Sequence, residues 1–146
     1  MRLPDYIENL ESWKKEFSYF TDIRVRFSET DAFGHVNNTV AFVYFEQARL
    51  EFFESKGLME EWMKGQGLII VTADLHCDYV AQIKYGDTVQ LGVKIHRMGS
   101  SSMDVHYVGL VNGKPALFGR GSLVQIDAYS GKASPFQKTF KEKIHA

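Results

Sequence analysis

Residues 37–57 constrain this chain more than any other segment. Asn37, Asn38 and Thr39 have short polar side chains that cap helix starts by accepting bonds from free backbone amides, and Gly57 is the residue type favoured just past a helix end. Between them Ala41, Phe45, Ala48 and Phe52 recur at i, i+4, i+7 and i+11, with Val40 and Tyr44 alongside, which predicts a helix with an apolar stripe. Val43 and Leu50 fall on the opposite side. A helix apolar over more than half its circumference is buried more deeply than a surface helix. The rest of the chain must wrap around it.

The wrapping material lies on both sides. Upstream, residues 21–27 alternate Ile23, Val25 and Phe27 against Asp22, Arg24 and Arg26, the period-two pattern of a strand with one buried face. Downstream, after a short helical stretch at 59–64, strand-like runs occupy 68–80, 88–98, 102–111 and 114–127. Turn chemistry separates them at Tyr85-Gly86-Asp87, Gly99-Ser100-Ser101-Ser102 and Asn112-Gly113, the last being the strongest short hairpin signal. The prolines, Pro4, Pro115 and Pro135, leave the helix and the next three strands uninterrupted. The expected fold is α+β: an antiparallel five-stranded sheet wrapped around one long helix. Tyr6, Ile7, Leu10, Trp13 and Phe17, spaced by threes and fours, predict a further helix over 5–17 lying across the main body. The polar tail, 132–146, is expected at the periphery.

At 146 residues and 45% hydrophobic, the chain supports one core, so residues 1–146 form a single domain with 1–19 as an N-terminal helical extension. With 17 basic and 18 acidic residues there is no electrostatic footprint for nucleic acid. Cys77 is the sole cysteine, and no apolar run approaches the ~20 residues of a membrane span. The expectation is a soluble protein of the cytoplasm, with no membrane partner.

The chemistry concentrates in Glu29-Thr30-Asp31-Ala32-Phe33-Gly34-His35-Val36-Asn37-Asn38, between the first strand and the buried helix. A carboxylate, a glycine turn, an imidazole and a helix start share one short connection. Asp31 is either a catalytic carboxylate or a turn aspartate that bonds the backbone at Phe33 or Gly34. His35 either helps place Asp31 or water, or is a solvated turn residue. Asn37 and Asn38 cap the helix, whose free amides around 36–38 offer donors in a positive local potential.

This segment, followed by Tyr44-Phe45-Glu46-Gln47-Ala48-Arg49 and by Asp78-Tyr79-Val80 leading to Tyr85-Gly86-Asp87, resembles the hotdog-fold acyl-CoA thioesterases of the 4-hydroxybenzoyl-CoA thioesterase type over roughly residues 20–130. The resemblance implies hydrolysis of an acyl-CoA to free acid and coenzyme A. Asp31 would be the nucleophile or the general base, His35 and Asn38 would join it in catalysis, and the helix amides would polarise the thioester carbonyl. Coenzyme A is then part of the substrate, and no separate cofactor or metal is implied. Gly34 would let the chain turn close to the substrate, and Asn37 would line the same mouth. Tyr44, with Phe33 and Tyr79, would flank an apolar acyl slot, and Lys84, Arg97, Ser100 and Ser101 would meet the phosphate-bearing half of coenzyme A. A homodimer or homotetramer is expected, because hotdog sheets pair with sites at the interface.

Alternatives remain open at this level. Glu46 is a reserve catalytic carboxylate, or else the partner of Arg49 in an ion pair along the helix. His96 and His106 are expected to face each other across the Gly99 turn, but without a nearby carboxylate or cysteine they read as core or surface histidines. The rival functions are an acyl-carrier-protein thioesterase and a module that binds acyl-CoA without turning it over.

Overall fold

A computed structural model describes residues 1–65 and 67–145. The elements follow in the order α1 (Leu10–Lys15), β1 (Tyr19–Arg24), a 3-10 turn (Phe27–Glu29), α2 (Val40–Ser55), α3 (Met59–Met63), β2 (Leu68–Tyr79), β3 (Thr88–Met98), β4 (Ser102–Val111), β5 (Lys114–Asp127) and α4 (Lys138–Ile144). The strands form one antiparallel sheet in the order β1-β3-β4-β5-β2. The Asn112-Gly113 hairpin has both residues at positive φ, 52° and 77°, as the tight turn between twisted strands requires. Among the described residues no helix is long and apolar enough to cross a membrane.

The long helix lies where its pattern demands. Ala41, Phe45, Ala48 and Phe52 are all buried, in one core with Leu91, Val93, Val105, Tyr107, Leu117 and Leu123 from the sheet. Phe45 stacks on Tyr107 with ring centroids 4.6 Å apart. It also lies over Gly119, where an added Cβ would come within 2.5 Å of the Phe45 ring. Arg49 turns inward as well, its Nη1 donating to the Tyr107 hydroxyl at 3.1 Å. The expected Glu46–Arg49 pair is therefore not made: Glu46 is exposed, and Arg49 follows Ala48 onto the buried side. Val43 and Leu50, 57% and 37% exposed, are left on the open face of α2, so the sheet covers the helix on one side only.

Four boundaries differ from the sequence expectations. The first helix is short: Pro4 O takes the Ile7 amide in a turn, and Asn9 Oδ1 caps a helix that begins at Leu10 by accepting from Ser12 N at 3.0 Å. The first strand runs Tyr19–Arg24 rather than 21–27, because Glu29 Oε1 takes the Arg26 amide at 2.8 Å and turns the chain, leaving Phe27 76% exposed. Thr39, one of the three expected cap residues, occupies the cap position of α2 with no side-chain bond to a helix amide, so neither asparagine caps the helix directly. The tail is not peripheral. Phe136, Phe140 and Ile144 recur every four residues, all buried in the main core, and Phe140 packs on Trp62 at 5.3 Å. Gln125 fixes this arrangement from the sheet: its Oε1 accepts from Trp62 Nε1, and its Nε2 donates to the carbonyls of Ser134 and Pro135. Ala146 lies outside the described residues.

A second, smaller core covers the opposite sheet face. Ile7, Trp13 and Phe17 pack there on Val108, Leu110 and Phe118. Beneath Trp13 the sheet carries buried polar groups. Trp13 Nε1 donates to His106 Nδ1 at 2.9 Å, which places the imidazole proton on Nε2. That atom is buried without a hydrogen bond, 3.5 Å from Asp104 Oδ2, while Arg120 holds Asp104 Oδ1 at 3.0 Å. Lys94 pairs with Glu16 and lies 5.6 Å from the Trp13 ring. Burial, with His96 adding to it, pushes the His106 pKa down to about 4.

Two measurements test this packing. Gly119→Ala should cost about 1–3 kcal/mol in denaturant unfolding, because Phe45 must leave its place for the new methyl group. The folded His106 resists protonation below its unfolded value near 6.5, so the unfolded chain binds more protons in that window. Stability should therefore fall as pH drops from about 6.5 to about 4, and His106→Gln should flatten that part of the profile.

Candidate active site

The connection from β1 to α2 is a compact knot of backbone and carboxylate bonds. Asp31 Oδ1 accepts from Phe33 N at 2.9 Å and from His35 N at 3.2 Å, while the Asp31 amide donates to His35 O at 2.7 Å and its carbonyl accepts from Gly34 N at 3.1 Å. Gly34 sits at φ 79° with open space around it, so the turn needs glycine for its backbone angle. Asp31 is thus the turn aspartate of the simpler reading, and its second oxygen takes no bond among the described residues. The carboxylate is thus anchored through one oxygen on an exposed loop.

The amides at the helix start divide unequally. Val36 N donates to Ile83 O at 2.7 Å and Asn37 N to Glu29 O at 2.9 Å, so the backbone itself consumes two of the three expected donors. The Asn38 amide has no acceptor among the described residues. Asn37 Oδ1 accepts from both the amide and the hydroxyl of Thr39 at 3.0 Å, an Asx turn that braces the helix entry. Tyr79, at the end of β2, donates its hydroxyl to Asn38 O. That link was invisible in the sequence, which placed Tyr79 only beside an acyl slot.

A cavity of about 200 Å³ adjoins this entry, walled by His35, Val36, Ala41, Tyr79, Ile83 and Leu117. His35 is half-buried, and its ring makes no hydrogen bond among the described residues; its backbone bridges Lys84. Tyr44 is placed otherwise than expected. It is buried in the core, with its hydroxyl on Glu29 Oε1 at 2.8 Å, and it braces the loop rather than walling the cavity. Burial and the Glu29 carboxylate both hold its phenol well above the ordinary range. Phe33, 83% exposed, points away from the cavity's walls. A larger groove of about 1290 Å³ runs between the first six residues and β2, and it shares Tyr79, Val80 and Ala81 with the cavity.

Arg97, Ser100 and Ser101 are not brought to this site. They lie at the far end of β3 and in the turn after it, whereas the Asp31 loop abuts the end near Asp87 and Thr88. Eleven residues of strand separate the two ends, roughly 30 Å. Lys84 is at the near end.

The histidine pair carries a surprise. His96 occupies a bulge and stacks on His106 at 4.2 Å, and Asp104 supplies the carboxylate that the sequence reading lacked, with potential ligand atoms of all three residues within 4.8 Å of one another. Their lone pairs do not converge. The two rings are parallel to within 11°, and the Trp13 bond leaves the proton on His106 Nε2, the atom nearest Asp104.

Comparison with known proteins fits this geometry. The model of the thioesterase-like superfamily matches residues 25–144. The Bacillus subtilis protein YsmA is 38% identical over 99% of this chain and 97% of its own length. A Thermus thermophilus thioesterase solved with coenzyme A and zinc superposes with a TM-score of 0.77 at 32% identity, over 88% of this chain and 92% of that one. A predicted thioesterase from Bacillus stearothermophilus gives 0.76 at 31% identity, over 87% and 93%. With the antiparallel sheet on its helix and the Asp31 loop at the helix entry, the chain belongs to the thioesterase-like superfamily: it is a hotdog-fold thioester hydrolase.

Proposed function

We propose that this thioesterase hydrolyses acyl-CoA thioesters and is of the 4-hydroxybenzoyl-CoA thioesterase type, with Asp31 as the reacting carboxylate. The observation that carries this reading is the anchored Asp31, one oxygen held by two loop amides and the other open, on the connection that ends at the unclaimed Asn38 amide. The coenzyme A complex of the Thermus relative supports the choice of thioester.

The reaction needs three things from these residues. The thioester carbon must be attacked: either Asp31 takes a proton from water, whose oxygen then bonds to carbon, or the carboxylate attacks directly to give a mixed anhydride that water later opens. The carbonyl oxygen gains negative charge as the tetrahedral centre forms, and the Asn38 N–H at the start of α2, which has no acceptor among the described residues, receives it. The C–S bond then breaks, the electron pair leaves with sulfur, and the thiolate of coenzyme A needs little protonation. The acyl group enters the cavity beside Ala41 and Leu117, and Lys84, whose backbone bridges His35 at this end of the sheet, is the cation for the phosphates. His35, on the cavity wall, orders the water.

The functional unit is a dimer or larger. One edge of β2, from Leu68 to Tyr79, is unpaired among the described residues, and Val43 and Leu50 are exposed on α2; a second copy covers both. Only a second copy can bring Arg97, Ser100 and Ser101 to the Asp31 loop.

The test is thiol release from a panel of aliphatic and aromatic acyl-CoAs. Asp31→Asn should lose roughly 10²- to 10⁴-fold in kcat while keeping its fold. Full activity in that variant would remove Asp31 from the mechanism, and binding without turnover by the unmodified chain would favour an acyl-CoA-binding module. Light scattering should give at least twice the chain mass of 16.7 kDa; a monomer would overturn the two-chain arrangement.

A further inference from the structure

The Asn38 residue is gripped on both sides of its Cα. The peptide before it is held at its oxygen, where Val40 N donates to Asn37 O at 2.9 Å. The peptide after it is held at both ends: Tyr79 donates its hydroxyl to Asn38 O, and Thr39 N donates to Asn37 Oδ1 at 3.0 Å. Fixing the two peptide planes that flank one Cα fixes its backbone angles, and so fixes where its N–H points. The Thr39 hydroxyl adds a bond to Asn37 Oδ1 at 3.0 Å and the Asn37 amide one to Glu29 O at 2.9 Å, while Asn38 itself is exposed and its side chain makes no hydrogen bond among the described residues.

The long-range grip is the tyrosine. Tyr79 comes from β2, 41 positions away in sequence, and half of its side chain is open to solvent at the wall of the 200 Å³ cavity. Packing alone would not demand a tyrosine at so exposed a position. Its hydroxyl bonds the helix entry and also meets the Cys77 thiol, its neighbour but one on β2.

We infer that Tyr79 is a positioning residue for thioester hydrolysis: its hydroxyl clamps the Asn38 carbonyl and thereby aims the Asn38 amide at the developing oxyanion. This rests on the acyl-CoA hydrolase reading above. The residue forms no bond to the reacting atoms. It acts through the Asn38 N–H, a helix-entry amide with no acceptor among the described residues, and a shift of about 1 Å in such a donor is enough to cost up to 10²-fold in rate.

Tyr79→Phe deletes the hydroxyl and keeps the ring. With butyryl-CoA and benzoyl-CoA as substrates, kcat should fall roughly 10- to 50-fold with KM within about twofold of the parent, because the oxyanion forms only after binding. The melting temperature should change by no more than a few degrees, and the Asn38 and Thr39 amide resonances should move in a proton–nitrogen correlation spectrum. Asn37→Ala releases the other end of the same peptide and should reproduce the kcat loss, so a folding defect in one variant leaves the other to decide. Unchanged kcat in both variants overturns the inference, and so does a rise in KM alone, which would make Tyr79 a substrate contact. An unmodified chain that releases no thiol from either substrate overturns the parent reading and this one together, whereas an active chain indifferent to Tyr79→Phe overturns this one only.

Discussion

The contact of Phe45 with Gly119 and Tyr107 sets the position of everything else. Glycine at 119 lets the α2 backbone approach β5 closely enough for a phenyl ring to fill the space a Cβ would take, and the stacked Tyr107 ring on β4 fixes the lateral position. Arg49, one turn further along α2, bonds the hydroxyl of the same tyrosine. Three side chains thus pin the helix in height, lateral position and rotation. Because α2 is rigid from Val40 to Ser55, pinning its middle also places its N-terminus, where Asn38 and the Asp31 loop meet the end of β2.

The loop that reaches this N-terminus is held by bonds that leave little freedom and few spare donors. Glu29 uses its side chain twice, on the Arg26 amide and the Tyr44 hydroxyl, and its carbonyl on the Asn37 amide. It therefore ties the end of β1, the core face of α2 and the helix entry into one unit. Satisfying buried and half-buried backbone groups is what folding requires, and catalysis uses what remains. Among the groups of this loop that take no partner among the described residues are the second Asp31 carboxylate oxygen and the Asn38 amide.

How much of this was readable from sequence depends on the reach of each interaction. The strands 88–98, 102–111 and 114–127 are found residue for residue, because Asn112-Gly113 and the Gly99 turn are short-range signals that mark where strands must end. The helix stripe is equally local. The aromatic spacing from Tyr6 onward suggested a longer helix, which the Pro4 turn and the Asn9 cap shortened. The tail misled because Phe136, Phe140 and Ile144 are scattered among lysines, and only their four-residue recurrence marks a buried face. At the site, Asp31 and Gly34 were legible because their partners lie within four residues. The capture of Val36 and Asn37 amides, and the grip of Tyr79 on Asn38, depend on partners brought from elsewhere in the chain. No local pattern records which amide is left over.

The two unfinished surfaces of the fold bear on the site itself. A helix apolar over most of its circumference has been covered on one face, and Val43 and Leu50 remain in water. The β2 edge ends at Tyr79, so any strand added there would run beside the residue that holds Asn38 and along the shared boundary of cavity and groove. Tyr79 is half exposed in the single chain, and a neighbouring strand would remove water from around its hydroxyl and strengthen the bond to the Asn38 carbonyl. The same addition would dry the mouth in which the thioester oxygen acquires its charge, and hydrogen bonds to that charge gain most where water is excluded. On the proposed reading, association would act on catalysis through one physical variable, the local dielectric at the start of α2.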